Sequence, residues 1–308
     1  MKIIGAGLAG LLAGNMLRKN DPVILERQSE IPNNHTALLR HRTRLVADAT
    51  SIPFKKVKVQ KGIVWNGQVF SKSTIPMINC YSQKVTGSLL DRSISNIDPV
   101  ERFIAPKDFI AKLAMDLNIK FSYPVSVPEL KFSEGNVVST IPMPVIAKQL
   151  GIFEEFFSED EFNFREITTA NFYIENIECD IYQTIYLPEE IYKCYRASIT
   201  GNKFILEFVG DVCADEIKQE VEIILRHHFK ICPTQNTFSE IKINNSKYGK
   251  IRPIDDIKRK KFISHLTKEY GIYSLGRYAV WKNLLMDDVH DDIIIIQKLI
   301  ENEGYFTG

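Results

Sequence analysis

Long apolar runs are missing from this sequence of 308 residues, and so is any excess of one charge. No segment holds the roughly 18 uncharged apolar residues that a membrane-spanning helix requires. The 39 Lys and Arg residues are balanced by 38 Asp and Glu, a formal charge of +1. A protein that coats nucleic acid nonspecifically should carry a basic excess, so the balance argues against that class. Cysteine is sparse. Cys80, Cys179, Cys194, Cys213 and Cys232 are odd in number and scattered, with no CxxC pair. That pattern excludes a disulfide framework or a structural zinc site and suits a reducing, cytoplasmic setting. Gly and Pro stand near ordinary usage, which rules out collagen-like and wholly disordered chains. GxSxG, HExxH and P-loop motifs are absent, as are internal repeats and low-complexity linkers. His227 and His228 are neighbours on a predicted helix, so they face different ways and make a poor metal pair.

What is present begins at the first residues. Lys2-Ile3-Ile4 is β-prone and runs directly into Gly5-Ala6-Gly7-Leu8-Ala9-Gly10, followed by a helix-compatible stretch from Leu11 to Lys19. Asn20-Asp21-Pro22 closes that stretch, and Val23-Ile24-Leu25 ends on Glu26. Strand, glycine turn, helix and acid-terminated strand together are the dinucleotide-binding βαβ fingerprint. Gly5 allows the tight turn, Gly7 lets the backbone approach a pyrophosphate, and Gly10 lets the helix pack close to the sheet. Leu8 and Ala9 complete the phosphate-facing turn at the helix N-terminus, where the dipole favours an anion. Glu26 is placed to accept from a ribose hydroxyl and disfavours a 2′-phosphate. The same glycines weaken any reading of the opening as a helical signal peptide, so a soluble chain with no preceding domain is expected.

A second segment lies near the other end. Gly271 to Leu275 reads as a short strand that meets Gly276-Arg277, and Asp287 or Asp288 caps a final helix with Val289, Ile293, Ile296 and Ile300 as its stripe. The opening GAGLAGLLAG…ILER and the later LGRYAVWKNLLMDD together resemble the FAD-binding flavoprotein clan of the amine oxidases, and within it the UDP-galactopyranose mutases. The resemblance implies FAD as cofactor. It places Gly276 and Arg277 against the FAD phosphates or ribityl chain, and Leu285, Met286 and Asp287 beside the flavin. Arg27 and Arg44 are added as cofactor contacts. Val137 to Pro142 looks like the strand and turn near the adenosine, and Tyr248 to Pro253 like the segment that returns to the cofactor domain. The chain departs from the mutases where Arg27 to His35 runs in place of a Gly-Gly pair.

The expected fold class is α/β: a Rossmann-like FAD-binding domain with an inserted antiparallel-sheet substrate domain. The first comprises residues 1–54, 98–150 and 245–308; the second 55–97 and 151–244. Residues 55–97 read as short β runs with turns, Trp65-Asn66-Gly67-Gln68 forming a hairpin. Phe109, Leu113 and Leu117 mark a helix within 106–118. Strands are expected at 167–174, 180–187, 192–200 and 203–209, with a turn at Gly201-Asn202, then a helix over 214–229.

Candidate substrate chemistry gathers in two places. His35, Arg40, His41, Arg42 and Arg44 lie within ten residues and suit an anionic substrate, the FAD pyrophosphate, or a solvated basic turn. His35 is the candidate general base. The strand-rich region offers Tyr182, Tyr195 and Arg196, the last resembling a family strand that presents Arg to substrate; Lys282 is placed near the flavin. The leading expectation is an FAD-dependent oxidoreductase taking hydride from a small or nucleotide-linked substrate. A non-redox mutase using reduced flavin as nucleophile, and a non-catalytic FAD- or nucleotide-binding module, are the alternatives. No metal and no membrane partner are expected; a nucleic acid would suit the basic 35–44 segment but not the net charge. The oligomeric state has no signature in the sequence.

Overall fold

Gly5 takes φ +96°, and the chain turns there from β1 (Lys2–Ile4) into α1 (Leu8–Met16) and back through β2 (Val23–Leu25). The computed structural model describes residues 1–31, 40–89, 92–131, 135–175, 180–231 and 238–306. The chain continues with β3 (Arg40–His41), α2 (Leu45–Thr50), β4 (Lys55–Trp65), β5 (Gln68–Phe70) and α3 (Ile75–Thr86). Next come β6 (Val100–Ile104), α4 (Phe109–Ala114), β7 (Asn118–Lys120), α5 (Val127–Lys131), β8 (Val137–Ser139), α6 (Met143–Leu150) and α7 (Phe153–Phe156). Strands β9 (Phe164–Tyr173), β10 (Ile181–Tyr186), β11 (Cys194–Gly201) and β12 (Lys203–Val209) precede α8 (Ala214–Ile224). The chain closes with β13 (Lys242–Ile251), α9 (Asp256–Tyr270), β14 (Ile272–Ser274) and α10 (Met286–Phe306).

Two sheets result. The first has five parallel strands in the order β14-β8-β1-β2-β7. Leu8, Leu11 and Leu12 of α1 bury against Val289 and Ile293 of α10 and against Phe109 of α4 on one face. The strand order crosses over beside β1, which places ligand-binding turns at the carboxyl ends of the strands. The second sheet has nine strands, β13-β9-β12-β11-β10-β4-β6-β3 with β5 paired to β4. It is mixed rather than antiparallel throughout, because β4 and β10 run parallel. β6 and β13 belong to it, across the boundaries expected at 97/98 and 244/245.

The faces of the second sheet differ. Phe172, Ile185, Ile199, Phe204, Leu206 and Phe208 bury against Ile217, Val221 and Ile224 of α8. Alternation then puts Thr184, Tyr186, Ser198, Thr200 and Glu207 on the other face. At β11 the register shifts between Cys194 and Arg196, and this bulge lets the consecutive Tyr195 and Arg196 share that polar face. The hairpin at Asn66-Gly67 forms as expected, with both residues at positive φ. The helix expected over 106–118 is shorter, because Asp116 turns at φ 63° and residues 118–120 become the fifth parallel strand. Residues 75–86, read as β runs and turns, are the helix α3, with Pro76 in its first turn and Met77, Tyr81 and Val85 on its buried face. Among the described residues no helix is long and apolar enough to cross a membrane.

Candidate cofactor cradle and substrate cleft

Three glycines of the fingerprint meet different surroundings. A Cβ on Gly10 would lie 1.9 Å from the Gly5 carbonyl oxygen, and one on Gly5 2.2 Å from Thr140 Oγ1. Both positions are closed by packing. A Cβ on Gly7 would meet nothing within 4 Å. Gly7 is the N-cap of α1, which has no side-chain cap and no acid in its first turn. An anionic group can therefore rest against this helix end without displacing protein atoms.

The far end of the chain packs onto the same turn. Gly276, at φ +89°, lies so close that a Cβ there would stand 2.9 Å from Ala9 Cβ. Leu8 is buried beneath them. Glu26 is buried at the end of β2; its Oε2 accepts from the Ala6 amide at 2.7 Å and its Oε1 from Gln28 at 2.9 Å. Two lone-pair sites remain for a ribose hydroxyl. Arg27, beside it, is exposed. Arg277 donates through Nη2 to the Gly249 carbonyl at 3.1 Å and stacks on Tyr278 at 5.5 Å. Its buried Nε lacks a protein partner, and burial lowers its pKa.

The segment after β3 closes on the N-terminus of α10. Asp287, buried there, accepts from the amides of Arg42 at 3.1 Å and Thr43 at 2.9 Å, and from the Thr43 hydroxyl. Burial works against its charge, but these hydrogen bonds outweigh that and hold it below the usual carboxylate range. Its carboxylate thus ties two segments together. Leu285 is half-exposed and donates its amide to Asp288 Oδ2 at 2.7 Å; Met286 packs at the edge of the core beneath α1. His41 is 2% exposed, with both ring nitrogens lacking a hydrogen-bond partner. It lies against Phe54 at 4.7 Å, and burial lowers its pKa although Asp287 opposes this.

Beside β9 and β13 lies a cleft of about 510 Å³ lined by Arg92, Asn163, Arg165, Lys250, Arg252 and Asn283, with no carboxylate among its described lining residues. Beneath it Glu207 accepts from Arg196 Nε at 2.8 Å, and also from Arg196 Nη2 and the Tyr195 hydroxyl. Burial disfavours this carboxylate, yet Arg196, Lys250 and Tyr195 together hold it at about 2. Lys250 Nζ stands 4.0 Å from Glu207 Oε2 and 5.1 Å over the Tyr195 ring. It arrives there through a register shift between Ser246 and Lys250. A Cβ on Gly249 would lie 2.4 Å from Ile167, so only glycine fits at this bulge.

The expected site residues separate into groups. Gly5, Gly7, Leu8, Ala9, Gly10, Glu26, Gly276 and Arg277 converge on one cradle, and Arg196 joins the floor of the cleft. Tyr195 is also there, 0% exposed with its hydroxyl donating to Glu207. Arg40 bonds Thr184 Oγ1 at 2.6 Å, Thr200 Oγ1 at 3.0 Å and the Ile199 carbonyl at 2.7 Å. Burial, then nearby Arg196, lowers its pKa to about 10. It clamps β3 to β10 and β11. Arg42 pairs with Asp288 at 2.6 Å and Arg44 with Asp48 at 3.1 Å. Arg44 borders a separate groove of about 680 Å³ with Lys56 and Phe103. Tyr182 donates to Asp180 Oδ2 at 2.9 Å, under Lys55 at 5.3 Å. Lys282 is exposed and precedes Asn283, which lines the cleft. His35 lies outside the described residues. No group of acidic, His or Cys side chains suited to a metal occurs among the described residues.

Sequence reasoning missed Lys250, Glu207, Arg92 and Arg165 as a structural set. One signal was available: Glu207 interrupts the apolar run Phe204 to Val209 in the strand KFILEFV.

No protein-family description matches this sequence, and no curated protein resembles it closely in sequence. Its fold is shared with solved flavoproteins. A reduced UDP-galactopyranose mutase superposes with a TM-score of 0.67 at 12% identity, over 91% of this chain and 89% of that one. A fatty acid isomerase from P. acnes gives 0.62 at 12% identity, over 96% and 97%. An oxidoreductase from Methanosarcina mazei gives 0.54 at 12% identity, over 97% and 100%. The chain therefore shares the Rossmann-type two-sheet α/β fold of these solved structures.

Proposed function

We propose that the protein is an FAD-dependent oxidoreductase acting on an anionic small-molecule or nucleotide-linked substrate held in the cation-lined cleft beside β9 and β13. The observation that carries the reading is the packing of Gly276 onto Ala9. It brings the two cofactor segments, from opposite ends of the chain, onto one open helix N-terminus.

The residues present fit the cofactor. Gly7 leaves room for a pyrophosphate, Glu26 keeps acceptor capacity for a ribose, and the buried Arg277 Nε is a donor waiting for an acceptor. An orphaned buried donor costs about 1–3 kcal/mol, which a bound ligand recovers. FAD, when bound, supplies hydride acceptance that no side chain of this protein can offer. The chain's own groups do the rest. Arg92, Arg165 and Arg252 attract and orient a negatively charged substrate; Arg196, kept charged by Glu207, fixes the floor; Lys250 holds or moves a proton at the cleft wall.

The cation-lined cleft also favours a second reading, a mutase-type enzyme, because the diphosphate of a nucleotide sugar is the kind of group such a lining accepts. A non-catalytic flavin-binding module is the third. Anaerobic mixing separates them. For an oxidoreductase, phosphate-bearing alcohols or amines bleach the oxidised flavin and an acceptor restores it. For a mutase, nucleotide sugars convert only after prior reduction, with no net use of reductant. Failure of both, with flavin bound, leaves the module.

A further inference from the structure

Lys84, in the last turn of α3, donates through Nζ to three backbone carbonyls at once: Leu187 at 2.7 Å, Glu189 at 2.8 Å and Cys194 at 2.9 Å. These carbonyls lie between the end of β10 and the start of β11. Three ammonium hydrogens meet three acceptors, so the capacity of the amine is filled. Burial lowers its pKa only to about 8, which leaves it charged at neutral pH. Backbone carbonyls replace the hydration shell of a bare monovalent cation in the same way. The cage touches both walls of the cleft. On the sheet side, Cys194 opens the bulge that turns Tyr195 and Arg196 to one face. On the helix side, Thr86 lines the cleft, and Ser82 Oγ accepts from the Arg92 amide at 3.0 Å. Gly87, at φ +77°, ends α3 so close to Arg165 that a Cβ there would lie 2.0 Å from Nη2. The end of α3 thus sets Arg92 and Arg165, the bulge sets Arg196, and Lys84 joins the two.

We propose that the carbonyls of Leu187, Glu189 and Cys194 form a monovalent-cation site that the chain fills with its own Lys84 ammonium, making Lys84 the positioning residue that holds the helix wall and the sheet wall of the cleft in register. It acts on the cleft only through Arg92, Arg165 and Arg196. Helix propensity does not account for a lysine here, since alanine is the better helix former. The consequence for substrate rests on the cleft being the substrate site; the cage itself does not.

The test is hydrogen exchange of the full-length protein in peptides covering 82–89 and 187–196, with calorimetry of sulfate binding as the readout of the cleft. Lys84→Ala removes the ammonium, leaves the cage open and keeps a good helix former. Exchange in both peptides is expected to quicken about tenfold or more, the order of one lost hydrogen bond from a charged donor, and sulfate to bind about tenfold more weakly. Ammonium chloride is expected to restore both. Tetramethylammonium chloride at the same concentration, a cation with no hydrogen to donate, is expected to restore neither. Lys84→Met fills the cage with an apolar stem and is expected to resist rescue. Wild-type protection in Lys84→Ala, equal effects of the two salts, or quickened exchange with unchanged sulfate affinity overturns the proposal. If Lys84→Ala does not fold, the two salts are compared by circular dichroism: recovery in ammonium alone upholds the cage, and no difference overturns it. A wild type that binds no sulfate, with exchange still quickened in Lys84→Ala and rescued by ammonium, upholds Lys84 and counts only against the cleft as an anion site.

Discussion

Arg196 donates through Nε to Glu207 Oε1 at 2.8 Å, joining neighbouring strands β11 and β12 beneath the cleft. Glu207 is 8% exposed, and the pair exists because the β11 bulge turns Arg196 and Tyr195 to one face. Removing one partner of a buried pair leaves an uncompensated charge. Glu207→Ala is expected to lower the unfolding free energy by about 3 kcal/mol, measured by urea denaturation. Adding Arg196→Met should recover part of that loss, since the stranded cation is gone. A loss no larger than about 0.5 kcal/mol would place the pair with exposed ion pairs and contradict its structural role.

Gly10 and Gly7 should respond in opposite ways to alanine. At Gly10 the new methyl meets the Gly5 carbonyl oxygen at 1.9 Å, so helix and strand cannot keep their distance. A loss of about 3 kcal/mol is expected, the upper range for overpacking. At Gly7 the methyl meets no protein atom, so the melting temperature should stay unchanged while retention of flavin through gel filtration falls. A Gly7→Ala protein that keeps its flavin would remove the cradle from the site.

Asp287→Asn tests the tie between the first turn of α10 and the chain after β3. The carboxylate accepts from two amides and a hydroxyl, and the amide side chain can reproduce only part of this. A loss of about 2 kcal/mol is expected for charge-assisted bonds of this kind. Hydrogen exchange should quicken at the Arg42 and Thr43 amides. Unchanged protection there would show that the tie is incidental.

His228 should make stability fall with acid. It is buried, bonded through Nε2 to the Tyr192 hydroxyl at 2.9 Å, and its Nδ1 lacks a partner. Burial, then the neighbouring His227 and Lys230, lowers it from 6.5 to about 4. Its folded value lies below its unfolded one, so the neutral form stabilises the fold above pH 6.5, and that contribution is lost as pH falls through about 4. The full loss is about 3 kcal/mol. Urea midpoints at neutral and acid pH, compared between wild type and His228→Gln, isolate this term. Identical pH dependence in the two proteins would contradict it.

The legible parts of this protein are those whose physics is local. Gly5, Gly7, Gly10 and Glu26 act within one βαβ unit, and Gly276-Arg277 within one turn, so spacing along the chain reveals them. The cleft is different. Glu207, Arg196, Lys250, Arg92 and Arg165 come from separate strands and a loop, and two register shifts decide which way Arg196 and Lys250 point. No window along the sequence contains that information. Arg40 shows the converse. Its place in a basic run suggested an anion grip, yet the strand it begins carries its guanidinium to hydroxyls and carbonyls of β10 and β11. In α3 the spacing of Met77, Tyr81 and Val85 is helical, but Pro76 and the flanking polar turns masked it. Proline in a first helical turn removes only an amide that has no helical partner anyway.

The most direct test of the central claim is the visible absorption spectrum of the purified full-length protein, before and after anaerobic dithionite. A flavin spectrum that bleaches on reduction, and that Gly7→Ala loses without loss of folded structure, is the expected result. A colourless protein that takes up no added FAD would contradict it and leave the fingerprint as a βαβ scaffold alone.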